Sequence, residues 1–228
     1  MPIRFGGFPE RKQIWPGAVL GSIVHAIIVS RYPNISNEQS WDGANYNVQD
    51  SMGSRGTIAF SGDNLVGVFF DERSPRNPFH SKKPYELNWF LKDIPASLHN
   101  LAYDEALQYV LQEYRGKIVP VITSAFWDDG ENLTAVEPWE EVFANGAHLM
   151  RIQLLDTGIA LKEWKSLYEM SSSEVALARS LFERKIAEPS RSIKLEVSER
   201  NILSAGAKGV EGTQESRESF AEIDIILP

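Results

Sequence analysis

Two short segments concentrate the side chains best suited to recognition or catalysis: Trp41-Asp42-Gly43-Ala44-Asn45-Tyr46 and Trp127-Asp128-Asp129-Gly130-Glu131. Each sets carboxylates beside an indole and a glycine that lets the backbone turn, a composition that can stack on a sugar or amine while hydrogen-bonding its polar groups. Asp42 with Asp128 or Asp129 would supply the two carboxylates of a glycoside hydrolase. Trp41, Asn45, Tyr46 and Trp127 would then be ligand contacts. Asn47 and Asp50 add oxygen donors of the kind that hard cations take, but the spacing lacks the alternating ligands and closing glutamate of an EF-hand. Asp-Gly is also an ordinary turn dipeptide. A turn with a core anchor is the expectation for both segments, and their sharing one cleft would shift it toward a site.

Other chemistries are narrowed by what the chain lacks. It has no cysteine, which excludes disulfides, thiolate metal sites and a cysteine nucleophile. His25, His80, His99 and His148 show no His-x-x-x-His spacing, so neither a metal nor a cofactor is expected. Gly206, Gly209 and Gly212 are regularly spaced without the strand-to-helix context of a nucleotide loop. Leu154-Leu155-Asp156-Thr157-Gly158-Ile159-Ala160 resembles the active-site loop of aspartic proteases over seven residues, which would imply a shared-proton aspartate pair. The sequence holds no second Asp-Thr-Gly, and a helical pattern follows this one, so a helix cap explains Asp156 without catalysis.

The chain's 228 residues carry 23 basic and 31 acidic side chains, a net charge of -8. Residues 1–99 hold 10 basic and 9 acidic groups, net +1, whereas residues 100–228 hold 13 and 22, net -9. This argues against nucleic acid as a partner. It favours instead a non-enzymatic binding module, inhibitor- or immunity-like, that meets a basic protein through acidic residues such as Glu137, Glu140 and Glu141. The alternative is a hydrolase or a small-ligand or carbohydrate-binding protein with its carboxylate site at the Trp-Asp turns. The basic run from Arg73 to Pro84 reads as a solvated, proline-rich loop.

A single α+β domain is expected: a mainly antiparallel sheet, drawn from the first part and the C-terminal strands, covered by helices over 98–115 and 159–187. The uncharged run Gln13–Ser30 imitates an export signal. Pro16, Gly17 and His25 instead favour a buried helix with Pro16 in its first turn, with a strand over 23–32 as its competitor, and the protein is expected to be cytoplasmic without a membrane span. Gly62-Asp63-Asn64 signals a hairpin, and Ser97 could cap a helix ending near Arg115-Gly116. Ile118–Phe126 and Ala147–Leu155 read as strands, and Ser171 with Glu174 as a capping box. Segment 204–219, poor in apolar residues and rich in glycine, is expected to be a mobile loop between strands 193–197 and 220–227. Trp89, Trp139, Trp164 and Tyr168 sit at positions that helical spacing would bury.

Overall fold

The computed structural model describes residues 7–81 and 84–228; Lys82 and Lys83 of the basic run lie outside the described residues. The fold is α+β, and the chain divides into two compact units, one of residues up to Arg11 with Trp41–Arg151, the other Lys12–Ser40 with Ile152–Pro228. Helix α1 (Arg11–Ile28) settles the first apolar run as helix, buried throughout its length from Gly17 onward. It begins a turn earlier than expected, so Pro16 lies inside it rather than in the first turn. Among the described residues no helix is long and apolar enough to cross a membrane.

Strand β1 (Gln39–Asp42) leads into the first unit, which contains β2 (Asn45–Gln49), β3 (Arg55–Ser61), β4 (Asn64–Phe70), α2 (Leu87–Phe90), β5 (Leu111–Tyr114), β6 (Lys117–Pro120), β7 (Ser124–Asp128), β8 (Leu133–Thr134) and α3 (Trp139–Ala144). Its main sheet runs β1-β2-β3-β4-β7-β8, antiparallel from β2 to β8. Ser61 pairs with Asn64, so the hairpin loop is Gly62-Asp63, and only Gly62 takes the left-handed backbone (φ +60). Strand alternation fixes two faces. Asn45, Ala59, Val66 and Trp127 lie in register on one; Phe60, Leu65 and Asp128 lie in register on the other. On this second face Phe69 opposes Gly56 and Phe126 opposes Gly67. A Cβ on Gly56 would sit 2.1 Å from the Phe69 ring and one on Gly67 2.7 Å from the Phe126 ring, so each ring folds over a glycine backbone.

Residues 96–110 cover the first face, packing Leu98, Ala102, Ala106, Leu107 and Val110 against Ala59, Val66, Val68 and Trp127. The apolar spacing expected of a helix over 98–115 is realised differently. A π-helical turn (Leu101–Glu105) runs into a 3-10 helix (Ala106–Val110), and Arg115-Gly116 is the turn of the β5–β6 hairpin rather than a helix end. The strand expected over 118–126 splits into β6 and β7; Pro120, which has no N–H for a ladder, ends β6. No strand forms over 147–155. A 3-10 helix (Ala147–Met150) begins there instead. On the second face Trp139 packs its ring 5.6 Å from Phe126 and 5.4 Å from Phe8.

The second unit joins α1 to α4 (Thr157–Leu167), α5 (Ser172–Ala187), β9 (Ile193–Lys194), α6 (Val197–Gly206), α7 (Gly209–Ala221) and β10 (Ile225–Ile226). Ser171 and Glu174 form the expected capping box on α5. The C-terminal strands pair with each other in a short parallel ladder and do not extend the large sheet. Segment 204–219, expected as a loop, is helical: it spans the end of α6 and most of α7. The reason is close approach rather than apolar mass. A Cβ on Gly212 would stand 2.0 Å from the Ser30 carbonyl oxygen, and four residues on Ser216 Oγ donates to the Ala26 carbonyl (2.7 Å). His25 is the expected core histidine, its Nε2 3.1 Å from the Ser36 carbonyl and its pKa pushed down to about 4 by burial. Trp139 and Trp164 are buried and Tyr168 is half-buried, whereas Trp89 is exposed beneath Arg76, whose guanidinium carbon lies 5.7 Å from the ring centroid.

Candidate functional site

The two Trp-Asp turns are built differently. In the second, Asp128 is fully buried and Oδ2 lies 2.8 Å from Arg11 Nε, while Oδ1 accepts the Gly130 N–H (2.8 Å). Arg11, in the same unit, also donates to the carbonyls of Gly130 and Asp63. Asp129 Oδ1 accepts from the backbone N–H groups of Glu131 and Asn132. The Asn132 and Glu131 bonds hold its carboxyl below the usual value. Trp127 is buried in the core of the first face. Both carboxylates expected to meet a ligand here have an intramolecular task.

The first turn opens on a cleft of roughly 700 Å3, lined in part by Asp42, Asn45, Asn64, Asp104, Glu105 and Tyr109. Tyr109 OH donates to Asp42 Oδ2 (2.7 Å), and Asn45 Nδ2 donates to Glu105 Oε2 (2.8 Å) and to Tyr109 OH (3.2 Å). Burial and then the bond to Asp42 hold the Tyr109 phenol above its usual value. This chain fixes Asp42 and Glu105 around one opening. Among the described residues the lining includes no Lys, Arg or His to neutralise Asp42, Asp104 and Glu105. The aromatic residues of the turn serve the fold: Tyr46 is fully buried, and Trp41 lies tilted against Tyr46 at 5.1 Å and stacks on Phe60 at 5.8 Å.

Asp42 and Asn45 therefore share one cleft, and Asp128 and Asp129 are not among its lining. Asp128 belongs to the opposite sheet face from Asn45, three strands away, roughly 14 Å at ordinary strand spacing. Asp104, Glu105 and Tyr109 lie outside the apolar stripe that marks 98–115 as helical, so helical spacing does not single them out. Their signal was the acidic pair followed four residues on by tyrosine. The change from π to 3-10 winding, with the backbone breaking at Glu105, aims these residues into the cleft.

The acidic residues near α3 are less available than their composition implied. Arg76 meets Glu137 through both guanidinium nitrogens (2.5 and 2.6 Å) and Glu141 through one (3.0 Å). Glu140 remains exposed. His80 pairs with Glu72 at 3.0 Å, and Asp156 caps α4 by accepting the Gly158 N–H. Among the described residues no group of three His, Asp or Glu side chains is placed to hold a metal ion. Compared with known protein families, curated proteins and solved structures, the chain matches none.

Proposed function

We propose that the protein is a binding module whose first-unit cleft receives a cationic side chain from a basic protein partner, as an inhibitor or immunity protein would. The observation that carries this reading is the lining itself: three carboxylates, two of them positioned by Asn45 and Tyr109, around a concavity that no basic side chain of the described residues lines. A lysine or arginine head entering there exchanges water for charge-assisted hydrogen bonds on a surface that is already arranged. The acidic recognition surface thus moves from Glu137, Glu140 and Glu141 to Asp42, Asp104 and Glu105.

Titration with a capped tetralysine peptide tests the proposal. Binding is saturable and weakens at least about tenfold when salt is raised from about 50 mM to about 500 mM, as expected where exposed charges dominate. Equal affinity for a capped tetraglutamate peptide would overturn it. One observation favours a hydrolase or carbohydrate-binding reading: Asn45 and Tyr109 link Asp42 to Glu105 in one cleft, so Glu105 takes the place expected of Asp128. That reading requires turnover of an aryl glycoside to be lost in both Asp42→Asn and Glu105→Gln.

A further inference from the structure

Glycine follows an aspartate or asparagine at three places in the chain: Asp42-Gly43, Asp129-Gly130 and Asn145-Gly146. A glycine nitrogen, uncrowded by a Cβ on its own residue, can reach the side-chain carbonyl carbon of the residue before it and close a succinimide ring. The fold withdraws that chemistry at two of the three. Asn145 and Gly146 are buried, Asn145 Oδ1 accepts from Ser74 Oγ (2.7 Å) and Nδ2 donates to the Glu141 carbonyl (2.8 Å), so closure there would break two hydrogen bonds. At the second Trp-Asp turn the nucleophile itself is engaged: the Gly130 N–H donates to Asp128 Oδ1 (2.8 Å), while Arg11 Nε holds Oδ2. Asp129 Oδ1 is engaged as well. It accepts from the Glu131 and Asn132 N–H groups, which favour the ionised carboxylate over the neutral acid that a nitrogen attacks.

None of these restraints acts on the first turn. Asp42, Gly43 and Ala44 are exposed, and Gly43 has left-handed backbone (φ +60) with nothing within 4 Å of the position a Cβ would take. The Gly43 N–H makes no hydrogen bond among the described residues. Strand β1 stands at the edge of the sheet, so turning the Asp42 backbone to bring Cγ onto that nitrogen disturbs one neighbouring strand. We propose that Asp42-Gly43 is a self-modification site at which the chain isomerises to isoaspartate, and that the change closes the first-unit cleft to its cationic partner. The Gly43 nitrogen bonds to Cγ of the neutral Asp42 carboxyl, the Cγ–OH bond breaks, and the hydroxyl leaves with the amide proton as water. Water then opens the ring. Cleavage between nitrogen and Cγ restores aspartate; cleavage between nitrogen and the former main-chain carbonyl carbon leaves the chain running through Cγ. The net reaction gains and loses no atom and needs no oxidant or reductant. The isoaspartyl chain is one methylene longer within a two-residue turn, and its carboxylate, now borne on Cα, no longer reaches the Tyr109 hydroxyl at the present 2.7 Å. Asp42, Gly43 and Ala44 all line the cleft, so its wall changes with the turn. The isomerisation does not depend on the proposed function, whereas the loss of recognition rests on it.

Incubation of the full chain for weeks at about 37 °C and about pH 6, where exposed carboxylates are still neutral part of the time, followed by peptide mapping, tests the site. Electron-transfer fragmentation marks isoaspartate by cleaving the Cα–Cβ bond in its main chain. Isoaspartate should accumulate at Asp42 at least about fivefold faster than at Asp129, the matched Asp-Gly pair, a ratio set by the one hydrogen bond that must first break there. In concentrated guanidinium, where the fold imposes nothing, the two rates should come within about twofold. The isoaspartyl form, separated by ion exchange, should bind the tetralysine peptide at least about threefold more weakly than the unmodified chain recovered from the same sample. Isomerisation no faster at Asp42 than at Asp129, or a difference that persists in guanidinium, would overturn the site. Equal tetralysine affinity in the two forms would overturn the loss of recognition. If the unmodified chain does not bind tetralysine at all, the reading of the cleft fails together with the loss of recognition, and the peptide map still decides the site.

Discussion

The turns at Trp41-Asp42 and Trp127-Asp128 have nearly the same composition and opposite fates. In the second, a buried carboxylate meets a partly exposed guanidinium, and the next aspartate closes the turn on its own backbone. In the first, the carboxylate is exposed, it accepts from a phenol that an amide in turn supports, and among the described residues no cation lines the cleft beside it. The difference lies in the neighbours rather than in the motif. A carboxylate next to an indole becomes scaffold when the fold supplies Arg11, and it stays available when the fold supplies Tyr109 and Asn45.

Substitutions at matched positions can break this contrast. Trp127→Ala empties a fully buried site and should lower unfolding free energy by about 3–5 kcal/mol, while Trp41→Ala, only half-buried, should cost about 1–2 kcal/mol. Urea midpoints measure both, and equal losses would show that the two indoles do the same job. Asp128→Ala leaves Arg11 Nε and the Gly130 N–H without their acceptor and should cost about 2–4 kcal/mol, reduced because Arg11 keeps two carbonyl acceptors and some access to water. Asp42→Ala should stay within about 0.5 kcal/mol of the parent. If Asp42→Ala proves the more destabilising, the first turn is scaffold as well.

The smallest effects are in the titrations. Asp129 has its folded-state pKa depressed by the Asn132 and Glu131 N–H groups, so its contribution to stability is present above the unfolded value near about 4 and is lost as pH falls through the folded one. Tyr109 has its folded pKa raised, so stability falls as pH climbs above the unfolded value near about 10. Side-chain NMR titrations should therefore place Asp129 on the acid side of a free aspartate and Tyr109 on the alkaline side of a free tyrosine. Ordinary values for both would remove the hydrogen-bond networks assigned to the two turns.

Features with a local cause were legible in the sequence. The Gly62-Asp63 hairpin, the Ser171–Glu174 capping box, the Asp156 cap and the buried His25 each depend on residues close in the chain or on burial that apolar spacing forecasts. What escaped depends on contacts between distant residues. Gly212 and Ser216 look like loop composition until Ser30 and Ala26 are beside them. The run 147–155 has strand chemistry but begins as a 3-10 helix that follows Gly146, whose Cβ position is occupied by the Phe69 side chain 2.5 Å away. At the site, Asp42 and Asn45 were visible as polar turn residues, yet the partners that define the cleft lie 60 and 67 positions away, at Glu105 and Tyr109. A break in helical winding that no periodicity signals brings them there.

The central claim, that the open turn and its cleft are the recognition surface, is tested most directly by comparing tetralysine affinity in two charge variants of equal size of change. The doubly neutralised Asp42→Asn, Asp104→Asn protein should bind at least about tenfold more weakly than the parent at low salt, and Glu140→Lys, which changes charge by the same two units outside the cleft, should bind within about threefold of it. An equal loss in both variants, or a larger one in Glu140→Lys, would contradict the account and return recognition to the acidic surface around α3.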